Sequence, residues 1–233
     1  MESIKTDKQA EATVENQQKK RTFWSGVLQG IPIALGYIPI SFAYGVLAQN
    51  NGLSLFNTVT MSIIVFAGSA QLIAVSLFAS GASFLSIVVT TFIVNLRHLL
   101  MSAALAPHLK RWKKLELFLF SYHITDETFA INATKFSECS NRKLESFGVN
   151  ATAQASWMLG TVIGVFTSQL IQDPKPLGLD YALAAMFIGL LVFMLQERTK
   201  FLAAILAGGL SVVFYLTEGS GSLPQHQFFD IPS

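Results

Sequence analysis

Charge is what this sequence has least of. Only 13% of its 233 residues are Asp, Glu, Lys or Arg, about half the roughly 25% of a soluble domain. Between Trp24 and Ala106 the only ionisable side chains among Asp, Glu, Lys, Arg and His are Arg97 and His98. A water-facing surface of that length is excluded. The single cysteine, Cys139, excludes an internal disulfide and stands in a charged stretch expected in the cytosol. There is no Gly-rich phosphate loop ending in Lys-Ser/Thr, which argues against an ATP-driven pump in this chain. Without a His-Glu-x-x-His or cysteine cluster, no metal and no cofactor is expected. No nucleophile stands at a convincing spacing from His98 and Asp126, so a non-enzyme is expected, an intramembrane enzyme being the weaker alternative. Lys and Arg flank apolar segments instead of lining one face, which argues against nucleic acid. Lys19, Lys20 and Arg21 precede an apolar stretch too long for a signal-peptide core, so an uncleaved first membrane segment is expected.

Apolar residues make up 52% of the chain, with mean hydropathy +0.48. They gather into seven segments: Trp24–Ala48, Asn57–Ala79, Phe84–Ala106, Leu115–Lys135, Phe147–Ile171, Leu179–Gln196 and Phe201–Thr217. Spanning a bilayer takes about 20 apolar residues, and all but Leu115–Lys135 fit. The fold class is all-α, a polytopic membrane helical bundle in the lipid bilayer. Residues 1–21 read as a disordered cytosolic tail, 22–217 as the transmembrane domain and 218–233 as a polar C-terminal tail.

Loop cations set the orientation. Lys19–Arg21, Lys110–Lys114, Arg142-Lys143, and Arg198 with Lys200 all read as cytosolic, and the balanced loop Gln172–Asp180 as external. Three full crossings between Arg21 and Lys110 contradict that, so one of the first three segments is predicted to be broken or re-entrant. Gly36 and Pro39 nominate Trp24–Ala48 as two half-helices. Leu115–Lys135, with cations on both flanks, is predicted to be a non-crossing hairpin or broken helix. Exposed half-helix ends at membrane depth are where transporters hold substrates and ions.

Ionisable residues inside membrane segments mark candidate sites. Arg97 suits a substrate carboxylate and His98 suits proton handling; a structural ion pair, or snorkelling of Arg97, is the alternative. Asp126 and Glu127 suit a substrate amine or a coupling proton, while Thr125-Asp126 also reads as a helix N-cap. Pairing of Arg97 with Asp126 or Glu127 is expected. Phe66-Ala-Gly68-Ser69-Ala-Gln71 reads first as a packing motif, with Gln71 a buried polar group needing a partner. Gly26-x-x-x-Gly30 and Gly160-x-x-x-Gly164 are packing or dimerisation signals.

Four blocks at these spacings, Gly30-Ile-Pro-Ile-Ala-Leu-Gly-Tyr37-Ile-Pro39 running to Phe42–Gly45, Phe66–Gln71, Asn95-Leu-Arg97-His98-Leu-Leu100 and Thr125-Asp-Glu-Thr-Phe-Ala130, resemble the AzlC family, the large subunit of branched-chain amino acid exporters. The resemblance covers about residues 22–217. It implies a plasma (inner) membrane permease exporting branched-chain amino acids or methionine. It also implies a proton drive and a small membrane partner of the AzlD type. The substrate-binding candidates are then Arg97, Asp126, Glu127, Phe66, Gly68, Ser69, Gln71, Asn95 and Tyr37. Coupling falls to His98, Asp126 and Glu127. The competing expectation is an assembly or binding subunit whose partner carries the substrate path. Family members continue with an apolar segment past the equivalent of Thr217, whereas Glu218–Ser233 here is too polar to span; truncation, a shifted reading frame and a natural short form are all open.

Overall fold

The computed structural model describes residues 23–138, 142–171, 175–194 and 198–222, and every regular element among them is helical. The expected tail 1–21, Cys139 and residues 223–233 lie outside the described residues. The chain divides into two compact units, one up to Met186 and one from Phe187 on.

In the first unit, α1 (Phe23–Asn50) is one unbroken 28-residue helix despite Pro32 and Pro39. This corrects the expectation of a break at Gly36 and Pro39. An interior proline costs about 3 kcal/mol, and here a long packed interface outweighs it. That interface is with α7 (Lys143–Thr167), which runs parallel to α1: Gly26 meets Glu145, Gly30 meets Val149 and Thr152, Gly160 meets Ile38 and Ser41, and Gly164 meets Phe42. The small residues serve this seam within one chain. A Cβ on Gly45 would come within 2.5 Å of Thr161 O, backbone that cannot yield. Gly45→Leu is therefore expected to cost at least the roughly 3 kcal/mol at the upper end of overpacking. The check is loss of monodisperse protein on fluorescence-detected size exclusion.

The break lies in the second segment instead. α2 (Leu55–Ile64) and α3 (Gly68–Ala79) are separate helices. At 10 and 12 residues each is about 15–18 Å long, half of a bilayer core. Phe66 between them has φ 42°, a left-handed conformation that strains a bulky residue. Packing holds it there, for Phe66 is only 3% exposed and faces the rings of Tyr37, Tyr122 and His123. The pair turns back on itself. Thr58 of α2 meets Tyr44 and Gln49 near the end of α1, Phe66 meets Tyr37 halfway along it, and Leu72 and Val75 of α3 return to Tyr44 and Ala48.

The next helix, α4 (Phe84–Leu105), is 22 residues long, about 33 Å, and therefore long enough to span. Phe84, Val88, Phe92, Leu96, Leu99 and others of its apolar side chains are exposed, as suits lipid. Its end packs with Leu109, Trp112, Phe120 and Phe136.

A second hairpin follows, α5 (Lys114–Tyr122) and α6 (Asp126–Glu138), so the predicted break in Leu115–Lys135 falls at His123–Thr125. Its open end lies where Trp112 packs on Phe147 and where Lys143 pairs with Glu116 at 2.6 Å. The two hairpins thus enter from opposite ends of α1, and their tips meet at Phe66, Tyr122 and His123. α7 joins them, because Gln154 Nε2 donates to Tyr122 OH at 3.0 Å and to Ile63 O at 3.4 Å.

The second unit holds the rest of α8 (Ala182–Met194) and α9 (Arg198–Ser222). α9 passes Thr217 without interruption, so the first five residues of the expected C-terminal tail are helical. Phe201, Leu206, Leu210, Val213 and Leu216 of α9 are exposed, an apolar surface suited to lipid or to a membrane partner.

Candidate functional site

The hairpin tips are held at a fixed depth by their own helix starts. Thr125 caps α6: Thr125 N donates to Thr128 Oγ1 at 2.8 Å and Thr128 N donates to Thr125 Oγ1 at 3.3 Å, a reciprocal cap. α3 starts at Gly68 after Ala67, which offers no side-chain cap. Its first amides are therefore orphan donors at the positive end of a helix dipole. Gly68 is needed for space, because a Cβ there would come within 2.5 Å of the Trp157 ring.

Both starts open onto one cavity lined by Tyr37, Phe66, Ala67, Gly68, Ser69, Arg97, His98, Thr125, Asp126, Glu127, Trp157 and Met186. Arg97 Nη1 pairs with Asp126 Oδ2 at 2.6 Å and Nη2 donates to Ser69 Oγ at 2.5 Å. The guanidinium therefore bridges the tip of the first hairpin to that of the second. Tyr37 OH donates to Glu127 Oε2 at 2.5 Å and lies 2.7 Å from Thr125 Oγ1. His98 Nδ1 donates to the Asn95 carbonyl at 3.1 Å, one turn back on its own helix. The Arg97 and Asp126 side chains keep 27% and 22% exposure, so the pair borders an open space and is not sealed in the core. That space is about 20 Å³, close to the roughly 10–15 Å³ that one water requires. In this conformation the site has room for about one water and not for an amino acid.

Of the residues singled out in the sequence, Tyr37, Phe66, Gly68, Ser69, Arg97, His98, Asp126 and Glu127 line this cavity. Gln71 does not. It is fully buried, and its Nε2 donates to Ser62 Oγ at 3.2 Å, which in turn bonds Thr161 Oγ1 at 2.8 Å. Asn95 reaches the site only through its carbonyl on His98. Gly36 has open space around it and no contact with the cavity. Sequence reading missed Trp157 and Met186 as lining residues, for in an apolar helix nothing distinguishes either from ordinary packing. Among the described residues no cluster of His, Cys, Asp and Glu is suited to a metal ion.

The charges are arranged in order. The first hairpin tip is neutral, offers uncapped amides and is met by Arg97, whereas the second carries Asp126 and Glu127. A zwitterion fits such a division, its carboxylate toward Gly68 and Arg97 and its ammonium toward Asp126. Phe66, Trp157 and Met186 supply apolar wall for a side chain.

The sequence profile of the family described as "AzlC protein" matches residues 32–171. The chain is 30% identical to the "Inner membrane protein YgaZ" of Escherichia coli K12 over 199 residues, 82% of this chain and 81% of that one. It is 31% identical over 201 residues to an "Uncharacterized membrane protein" of Archaeoglobus fulgidus, covering 85% of this chain and 87% of that one. It is 27% identical over 191 residues to the "Branched-chain amino acid transport protein AzlC" of Bacillus subtilis 168, covering 81% and 74%. No solved structure matches.

Proposed function

The chain belongs to the AzlC family, and on that premise we propose that it is a proton-coupled secondary transporter exporting branched-chain amino acids across the plasma membrane, in complex with a small AzlD-type subunit. The observation that carries this reading is the bridge of Arg97 to both Ser69 and Asp126 at the junction of two hairpin tips. A zwitterionic amino acid replaces the internal pair charge for charge, so neither Arg97 nor Asp126 is left uncompensated when it enters. The substrate class draws on the name of the B. subtilis relative, and the apolar wall of Phe66, Trp157 and Met186 agrees with it.

The hairpins support one orientation. With α1 and α4 crossing and the first hairpin turning back, the cations of Lys110–Lys114 and Arg142-Lys143 fall on the same side as the start of α1. Under the positive-inside rule that shared side reads as the cytosol, which supports a cytosolic N-terminus.

Cells preloaded with labelled valine, isoleucine, leucine or methionine test the reading. Efflux of the branched-chain substrates is expected only when chain and small subunit are co-expressed, and an uncoupler is expected to stop it. Efflux indifferent to this chain, or confined to methionine, overturns the substrate assignment. Loss of partner binding alone in Arg97→Ala and Asp126→Ala supports an assembly subunit instead.

A further inference from the structure

The site is built twice, by an inverted repeat that no internal sequence repeat announces. α1 and the first hairpin form one half, and α4 and the second hairpin the other. The spanning helices run antiparallel: α1 ends where the first hairpin opens, near Asn51, and α4 ends where the second opens, near Trp112. Each spanning helix sends one polar side chain from mid-length across to the hairpin of the opposite half. Tyr37 is the fifteenth residue of α1 and bonds Glu127, the second residue of α6; Arg97 is the fourteenth of α4 and bonds Ser69, the second residue of α3. The chemistry of the two latches differs while their geometry corresponds.

We infer that these contacts are two side-specific latches. Arg97–Ser69 holds the hairpin that closes the site toward the Asn51 end, and Tyr37–Glu127 with Thr125 holds the hairpin that closes it toward the Trp112 end. Both are made at once in this structure, and releasing one opens one face. Ser69, Tyr37 and Thr125 are then positioning residues that set the balance between the two faces. That each hairpin closes one face rests on the transport reading, whereas the two contacts rest on geometry alone. A substrate that draws Arg97 away from Ser69 weakens the first latch, and a proton on Glu127 alters the acceptor of the second. Substrate and proton thereby act on the latches of opposite faces.

The test uses side-specific labelling in the Cys139→Ala background, which removes the only native thiol. Ala67→Cys puts a reporter in the cavity, and an impermeant methanethiosulfonate reagent is applied to right-side-out or inverted vesicles holding the full chain and its small subunit. Ser69→Ala is expected to speed labelling about tenfold from the Asn51 face only. Tyr37→Phe is expected to do the same from the Trp112 face only, since losing a hydrogen bond to a charged group shifts a two-state balance by at least that factor. If Tyr37→Phe does not assemble, Thr125→Val carries the same expectation. Acceleration from both faces, from the opposite face, or from neither overturns the inference. The same vesicles separate the two readings. Valine transport without side-specific labelling removes the latches and leaves the transporter; side-specific labelling without valine transport removes the substrate and leaves the latches.

Discussion

Arg97→Ala is expected to lower branched-chain amino acid efflux about 10–100-fold at subsaturating substrate. Hydrogen bonds to a charged group contribute roughly 1.5–3 kcal/mol each, and 1.4 kcal/mol is tenfold. A structural ion pair also predicts damage from Arg97→Ala, because Asp126 is left without its cation. The double variant Arg97→Ala/Asp126→Ala separates the cases. It removes both charges, so protein abundance recovers toward wild type under either reading. Efflux recovers with it only if the pair is structural. The penalty for isolating Asp126 stays below the roughly 3–5 kcal/mol of a fully buried pair, because both side chains retain some exposure. Arg97→Ala alone is therefore expected to reach the membrane at reduced but measurable level. Arg97→Lys keeps the charge and loses the fork that reaches Ser69 and Asp126 together, and is expected to fall between. Immunoblot of membranes alongside efflux of labelled valine reads both quantities.

What the sequence made legible follows from how local each signal is. Arg97, Asp126 and Glu127 stand out because ionisable residues in apolar segments are costly wherever the fold puts them; charge alone predicts a pair of Arg97 with Asp126 or Glu127, and the structure selects Asp126. The cap at Thr125 is encoded within four residues and was equally readable. The position of the helix break was not. Pro39 is a local signal for a break, yet α7 lies along α1 through Gly148, Gly160 and Gly164 and keeps the helix whole. Phe66 is no helix breaker, yet it takes the left-handed conformation because Tyr37, Tyr122 and His123, from two distant segments, close around its ring. Counting cations asks for one interrupted segment before Lys110; the interruption lies in the second, which only tertiary contacts decide. Trp157 and Met186 were illegible for the same reason, since a lining residue differs from a packing residue only by what faces it. The repeat is invisible because its two latches share geometry and not residue type: a tyrosine to a carboxylate in one half, a guanidinium to a hydroxyl in the other.

Glu127→Gln is expected to abolish uncoupler-sensitive, gradient-driven efflux while leaving exchange of labelled for unlabelled valine close to wild type. The two carboxylates at the second tip differ in what each would lose on protonation. Asp126 is engaged with Arg97 at 2.6 Å, so a proton there dissolves an ion pair that also orients the substrate site. Among the described residues Glu127 has no ion-pair partner; it accepts from Tyr37 OH and gains or loses a proton without separating opposite charges. A coupling group needs that freedom, because it must be protonated on one face and deprotonated on the other in every cycle. Glutamine keeps the size and leaves Tyr37 a neutral acceptor oxygen, so the fold is retained while the second latch is fixed in the form that a proton on Glu127 gives it. The wild-type rate is expected to vary with pH and the Glu127→Gln rate to be flat. Asp126→Asn is expected to behave differently and to impair exchange as well, since it takes away the partner of Arg97 and the ammonium contact together. If Glu127→Gln still exports valine against a gradient, the proton is carried elsewhere, and His98, one residue from Arg97 on the cavity wall, is the next side chain to test.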